Sequence, residues 1–183
     1  MDSYSSSKNA VLAIITAGDC GHCKFFKQSG NIEKIKQSLS GSGIDCVHIE
    51  FSKMSSSTPD GYHQGIKSFV GWFPSFVLFN NTFYNKSSEL KGLRYKAKQK
   101  EFVRGGKTIK TWVPASGFNP NDHGAIVAWT KKQASENSLF KGNSNTLIIS
   151  EGDGNKFKVI PANGKLNTVF SHEKLPEFPD QYE

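Results

Sequence analysis

The sequence predicts an α/β fold: a central sheet flanked by helices, with β segments added after it. Three observations carry that expectation. Val11-Leu12-Ala13-Ile14-Ile15-Thr16 is a short, almost continuous apolar run, the pattern of a strand buried on both faces. From Cys20 the pattern turns helical, with Phe25, Phe26, Ile32, Ile35 and Leu39 recurring at roughly helical intervals. Two further strand-like runs, Ile44 to Phe51 and Phe76 to Phe79, bracket a segment that Asp60 can cap as a helix running to about Val70. The order β-α-β-α-β argues for parallel strands with covering helices.

The elements follow in order. Residues 1–9 are polar and Ser-rich and read as a flexible arm. Ala17-Gly18-Asp19 breaks the first strand, Gly30 predicts a kink in the helical segment, and Gly41-Ser42-Gly43 ends it. Met54 to Pro59 is a Ser-rich loop, Trp72-Phe73-Pro74 precedes the third strand, and Asn80-Asn81 is a turn. Beyond it, Leu93 to Lys100 alternates strictly, which would set Arg94, Lys96, Lys98 and Lys100 on one face of a strand. Glu101 to Arg104 and Lys107 to Val113 read as a hairpin turning through Gly105-Gly106. Asn121 or Asp122 caps a helix with Ile126, Trp129 and Ala134 at its apolar positions. A second hairpin is expected from Thr146–Ser150 and Lys156–Ile160, and the tail from Ser171 carries Pro176 and Pro179.

The chemistry concentrates at Cys20-Gly21-His22-Cys23. The chain has three cysteines, too few for a disulfide scaffold, and two of them share this C-x-x-C. A thiol attacks only as thiolate, and the first turn of a helix supplies unpaired N–H groups and a positive dipole end to stabilise one at Cys20. Cys23 lies one turn deeper, so Cys20 is the attacking and Cys23 the resolving thiol. A charged His22 would stabilise the Cys20 thiolate further. Asp19 adjoins the dithiol and should lie at the surface.

With Pro74 before its strand, this arrangement resembles the thioredoxin superfamily, and Cys-Gly-His-Cys matches the motif of protein disulfide isomerase domains. The resemblance covers about residues 10–80, and more loosely the segment through about Ala134. It implies a thioredoxin-like fold with a central mixed sheet, comprising residues 10–137, with a basic β insertion at about 82–112, a β-hairpin extension at 138–170 and a tail at 171–183. It implies a cis Pro74 opposite the dithiol, and substrate binding by Trp72, Phe73 and Pro74, with the Phe73 backbone pairing with an extended substrate segment. Gly21 and His22 would flank the same groove. The implied activity is thiol–disulfide exchange on protein substrates, with no cofactor beyond the Cys20–Cys23 pair and no metal. The chain departs from the family at Ile14, where thioredoxins and disulfide isomerases carry a buried acid that helps deprotonate the resolving thiol. It also lacks the glycine-glycine-acid segment of glutaredoxins, which argues against glutathione as the direct substrate.

Two other readings stand beside this one. Cys46 and His48 extend the dithiol to C-x-x-C…C-x-H, a set of the kind that binds zinc, although the resemblance places those two residues far from the dithiol. From Lys86 to Lys110, nine basic residues face only Glu89 and Glu101, within a net charge of +7. Arg94, Lys96, Lys98 and Lys100 are candidates for holding an acidic partner or nucleic acid, in a binding or structural protein with little redox turnover. No aromatic series accompanies them, so sequence-specific reading is not supported. His63, His123 and His172 have no evident partners. No apolar run reaches the ~20 residues of a membrane span, and no signal segment is evident at the start, so the expected location is cytoplasmic. The Lys-, Asn-, Ser- and Phe-rich composition around an embellished core is also similar to thioredoxin-like proteins of large DNA viruses. That likeness rests on no motif, and it implies a virion location as the alternative.

Overall fold

In the computed structural model, which describes residues 9–141 and the strands at 146–150, 156–161 and 167–170, strand β1 (Ala10–Ala17) is buried at every position. A continuous apolar run can be covered on both sides, and β1 is: it lies inside a four-stranded sheet ordered β2-β1-β3-β4. Helix α1 (Gly21–Gln28) and helix α2 (Asn31–Leu39) connect β1 to a parallel β2 (Ile44–Phe51). The break between the helices falls at Gly30, whose φ of 75° is left-handed and suits glycine. Strand β3 (Ser75–Asn80) runs antiparallel to β1, and β4 (Gly92–Arg94) antiparallel to β3. The sheet is therefore mixed.

Two expectations are corrected here. The parallel arrangement read from the β-α-β-α-β order fails at β3, where the sheet is mixed as the resemblance implies, because an apolar run buried on both faces reads the same in either direction. The α-helix expected from Asp60 to Val70 is a 3₁₀ helix confined to Gln64–Phe69. Gly61 and Gly65 lower the helical propensity of this stretch. His63, which seemed to have no partner, caps the 3₁₀ helix: its Nδ1 accepts from Gly65 N–H (3.0 Å), and its Nε2–H donates to Ser88 O (2.7 Å).

Side chains on the two sheet faces enter separate cores. Leu12, Ile14, Phe76 and Leu78 pack with Phe26, Ile32, Ile35 and Leu39, and with Ile126 of helix α3 (His123–Glu136). Asp122 caps α3 by accepting from Ala125 N–H at 3.0 Å. On the other face Val11, Ala13, Ile15, Val77 and Phe79 pack with Ile49, Phe51, Ile66 and both cysteines of the C-x-x-C.

The hairpin through Gly105-Gly106 comprises β5 (Ala97–Arg104) and β6 (Lys107–Pro114), a two-stranded sheet of its own. The expected continuous strand from Leu93 to Lys100 is overturned. It ends at Arg94, the chain turns at Lys96 (φ 43°), and β5 begins at Ala97. Arg94 is only 8% exposed: its Nε donates to Phe69 O (3.0 Å), Nη2 donates to Ser68 O (3.2 Å), and its guanidinium lies 4.0 Å from the Trp112 ring centroid. Arg94 is thus a buried strut and is withdrawn as a candidate for anion binding. Lys96 sits half-buried in the turn, out of line with Lys98 and Lys100.

Further along, β7 (Thr146–Ser150) and β8 (Lys156–Pro161) form the second expected hairpin, and β9 (Asn167–Phe170) adds a third antiparallel strand that sequence reasoning missed. The turn at 151–155, the arm at 1–8 and the tail at 171–183 lie outside the described residues. Among the described residues no helix is long and apolar enough to cross a membrane.

Candidate functional site

Strand β1 delivers the chain to the dithiol through a tight turn. Gly18 N–H donates to Phe51 O (2.9 Å), and a Cβ on Gly18 would stand 2.7 Å from Ser52 O, so the turn passes too close to β2 for any side chain. The next residue, Asp19, is exposed, as expected. Its Oδ1 accepts from Met54 N–H (2.7 Å), which ties the loop after β2 to the site.

Cys20 is the N-cap of α1, and Cys23 N–H donates to its Sγ at 3.1 Å. The two cysteines form a disulfide, with Cα atoms 5.2 Å apart. Cys20 retains 5% exposure and Cys23 none, so an incoming group meets Cys20 first. Gly21 and His22 are exposed on the first turn. The Phe73–Pro74 peptide is cis, and Phe73 O lies 3.7 Å from Cys20 Sγ. The Phe73 ring packs edge-on against Phe51, while Trp72 turns the other way, edge-on to Phe118 (5.3 Å). Of the three residues proposed for substrate contact, Phe73 thus presents its carbonyl to the dithiol, Pro74 is buried behind it, and Trp72 packs toward the Phe118 turn.

Ile14 is fully buried and pairs with His48 on one side and Phe76 on the other, so no carboxylate stands at that position. Polar groups nearby form a different assembly, which sequence reasoning missed. Thr16 Oγ1 donates its one proton to Glu50 Oε1 (2.9 Å) and so accepts from His48 Nε2–H (2.8 Å). Lys27, in the last turn of α1, forms an ion pair with Glu50. This chain of bonds ties the end of the dithiol helix to β2. Lys27 holds the Glu50 carboxyl below its usual range, and burial lowers the His48 imidazole. Register alone builds it, because the pairing of Thr16 with Glu50 and of Ile14 with His48 sets these side chains on one face. Lys67 was also missed: it donates to Met54 O and Ser56 O (both 2.7 Å) and lies over the Phe51 and Phe73 rings.

Cys46 packs against the core on the Ile14 face, whereas Cys20 and Cys23 belong to the core on the opposite face. The C-x-x-C…C-x-H set is therefore not brought together. Among the described residues no group of three or more His, Cys, Asp and Glu is placed to hold a metal ion. Burial pushes the Cys46 thiol from 9.0 up to about 11, roughly a 100-fold smaller thiolate fraction near neutral pH. With the dithiol reduced, Cys46 should accordingly be alkylated by iodoacetamide roughly 100-fold more slowly than an unperturbed thiol. Peptide mass spectrometry checks this, and equal labelling of Cys20 and Cys46 would contradict it.

No protein-family model, curated protein or solved structure matches the chain.

Proposed function

We propose that the chain is a thioredoxin-like thiol–disulfide oxidoreductase acting on protein disulfides through Cys20 and Cys23. One observation carries the reading: Cys20 Sγ caps α1 while facing the Phe73 carbonyl beside a cis proline. A sulfur that accepts the Cys23 N–H at the positive end of a helix is held where its anion is stabilised.

In the reductive direction, the Cys20 thiolate attacks one sulfur of a substrate disulfide. A Cys20–substrate disulfide forms, and the other substrate sulfur leaves as thiolate and takes up a proton. Cys23, having lost its proton, then attacks Cys20 Sγ, expelling the second substrate thiolate and closing the Cys20–Cys23 disulfide. The substrate gains two electrons and the protein loses two, so each turnover requires an external dithiol to restore the reduced pair. In this reading the Phe73 carbonyl, 3.7 Å from Cys20 Sγ, accepts a backbone N–H from an extended substrate segment, in the manner of strand addition.

The test is reduction of insulin by the full chain with dithiothreitol as donor, together with refolding of reduced ribonuclease. Catalysis above the dithiothreitol background in either assay supports the proposal, and background rates in both would refute it.

A further inference from the structure

The register of the β5–β6 ribbon sorts its charges by face. Residues directly opposite in an antiparallel pair share a face, and alternate residues along a strand share it too. Lys98 pairs with Val113, Lys100 with Thr111, Phe102 with Ile109 and Arg104 with Lys107. One face therefore carries Lys98, Lys100, Arg104 and Lys107 and no carboxylate. Glu101, the one acid of the ribbon, stands opposite Lys110 on the other face. That second face also bears Trp112, whose ring is held against the Arg94 guanidinium, so it is the side anchored at the base. The four cations are exposed, and among the described residues none is in an ion pair. Four of the ribbon's five basic residues thus share the face that lacks its one acid.

We propose that the β5–β6 ribbon is a nucleic-acid-binding arm, gripping the phosphate backbone of a duplex through Lys98, Lys100, Arg104 and Lys107 without reading its sequence. Cations two residues apart on a strand stand about 7 Å apart, and eight residues extend about 27 Å, so the face can meet several phosphates of one backbone. A two-stranded ribbon is narrow enough for the major groove, about 12 Å wide. Phe102, 39% exposed, is the one aromatic on the cationic face, between Lys100 and Arg104. It can make apolar contact with the duplex, but one ring cannot discriminate a series of bases. The surface differs from the stripe read in the sequence: Arg94 and Lys96 leave it, while Arg104 and Lys107 join it.

The experiment is fluorescence anisotropy of the full chain with a labelled random-sequence duplex of about 20 base pairs, across salt from ~50 to ~200 mM. Four phosphate contacts predict a log–log salt slope of about −3.6, a loss of roughly 100-fold over that range. The quadruple variant Lys98→Gln/Lys100→Gln/Arg104→Gln/Lys107→Gln should lose both the binding and the slope. The charge-matched control Lys34→Gln/Lys53→Gln/Lys131→Gln/Lys132→Gln should keep both. Should the first quadruple not fold, Lys100→Gln alone should flatten the slope by about one. Cys20→Ser should bind as wild type does, which separates this arm from the dithiol. No binding at ~50 mM salt, equal losses in the two quadruples, an unchanged slope in Lys100→Gln, or polyglutamate held as tightly as the duplex would each overturn the proposal.

Discussion

Cys20→Ser should abolish dithiothreitol-driven insulin reduction, a loss of at least ~1000-fold, or about 4 kcal/mol of transition-state stabilisation. The hydroxyl that replaces the thiol does not ionise near neutral pH, so the N–H of Cys23 and the helix dipole have no anion to stabilise. Cys23→Ser should behave differently. Its first attack survives, because Cys20 keeps the cap position, but the fully buried residue that would release the substrate is gone. The variant should therefore accumulate a mixed disulfide, visible as the mass of protein plus substrate and removed by excess dithiothreitol. Equal turnover of Cys20→Ser and wild type would sink the dithiol cycle. A Cys23→Ser variant that turns over normally would remove the assigned division of labour.

In the wild type the second step should be the slower one. Cys23 must lose a proton in full burial, and Ile14 offers no carboxylate to receive it. The polar assembly that does exist, His48 with Thr16, Glu50 and Lys27, lies on the face of β1 and β2 opposite the core to which Cys23 belongs. Its evident work is to brace α1 against β2. On the proposed cycle, the attacking sulfur caps a helix, while the resolving thiol finds no carboxylate at the Ile14 position to take its proton.

What was legible in the sequence is what local chemistry determines. The apolar run of β1, the break at Gly30, the cap at Asp122 and the turn at Gly105-Gly106 each follow from residues within a few positions of one another. The same holds for the dithiol, because a strand ending next to a helix start is a local pattern. Strand direction was not legible, since β3 would show the same apolar run whether parallel or antiparallel to β1. Nor was the Thr16–Glu50–Lys27 chain, which exists only once two strands and a helix are in register. The alternation from Leu93 to Lys100 misled because period two describes a strand only while the backbone stays extended, and it turns at Lys96.

That turn gives the second large effect. Arg94→Ala should lower the unfolding free energy by about 3 kcal/mol, measured by urea denaturation, although it removes a cation from the most basic stretch of the chain. The loss has three sources: the charge-assisted bonds to Ser68 O and Phe69 O, the carbonyls then left short of a donor, and the guanidinium's contacts with the Phe69 and Trp112 rings. Relief of the buried charge offsets part of this, so the sum falls short of the separate terms. Arg94→Lys should recover little, because an ammonium cannot reproduce the planar fork or its stacking. Lys100, four residues beyond the turn at Lys96, is exposed, and Lys100→Ala should stay within about 0.5 kcal/mol of wild type. If Arg94, Lys96, Lys98 and Lys100 shared one solvated face, all these substitutions would be nearly silent. A clear separation between Arg94 and Lys100 is the outcome expected of a chain that turns at Lys96, buries the cation before the turn and presents those beyond it.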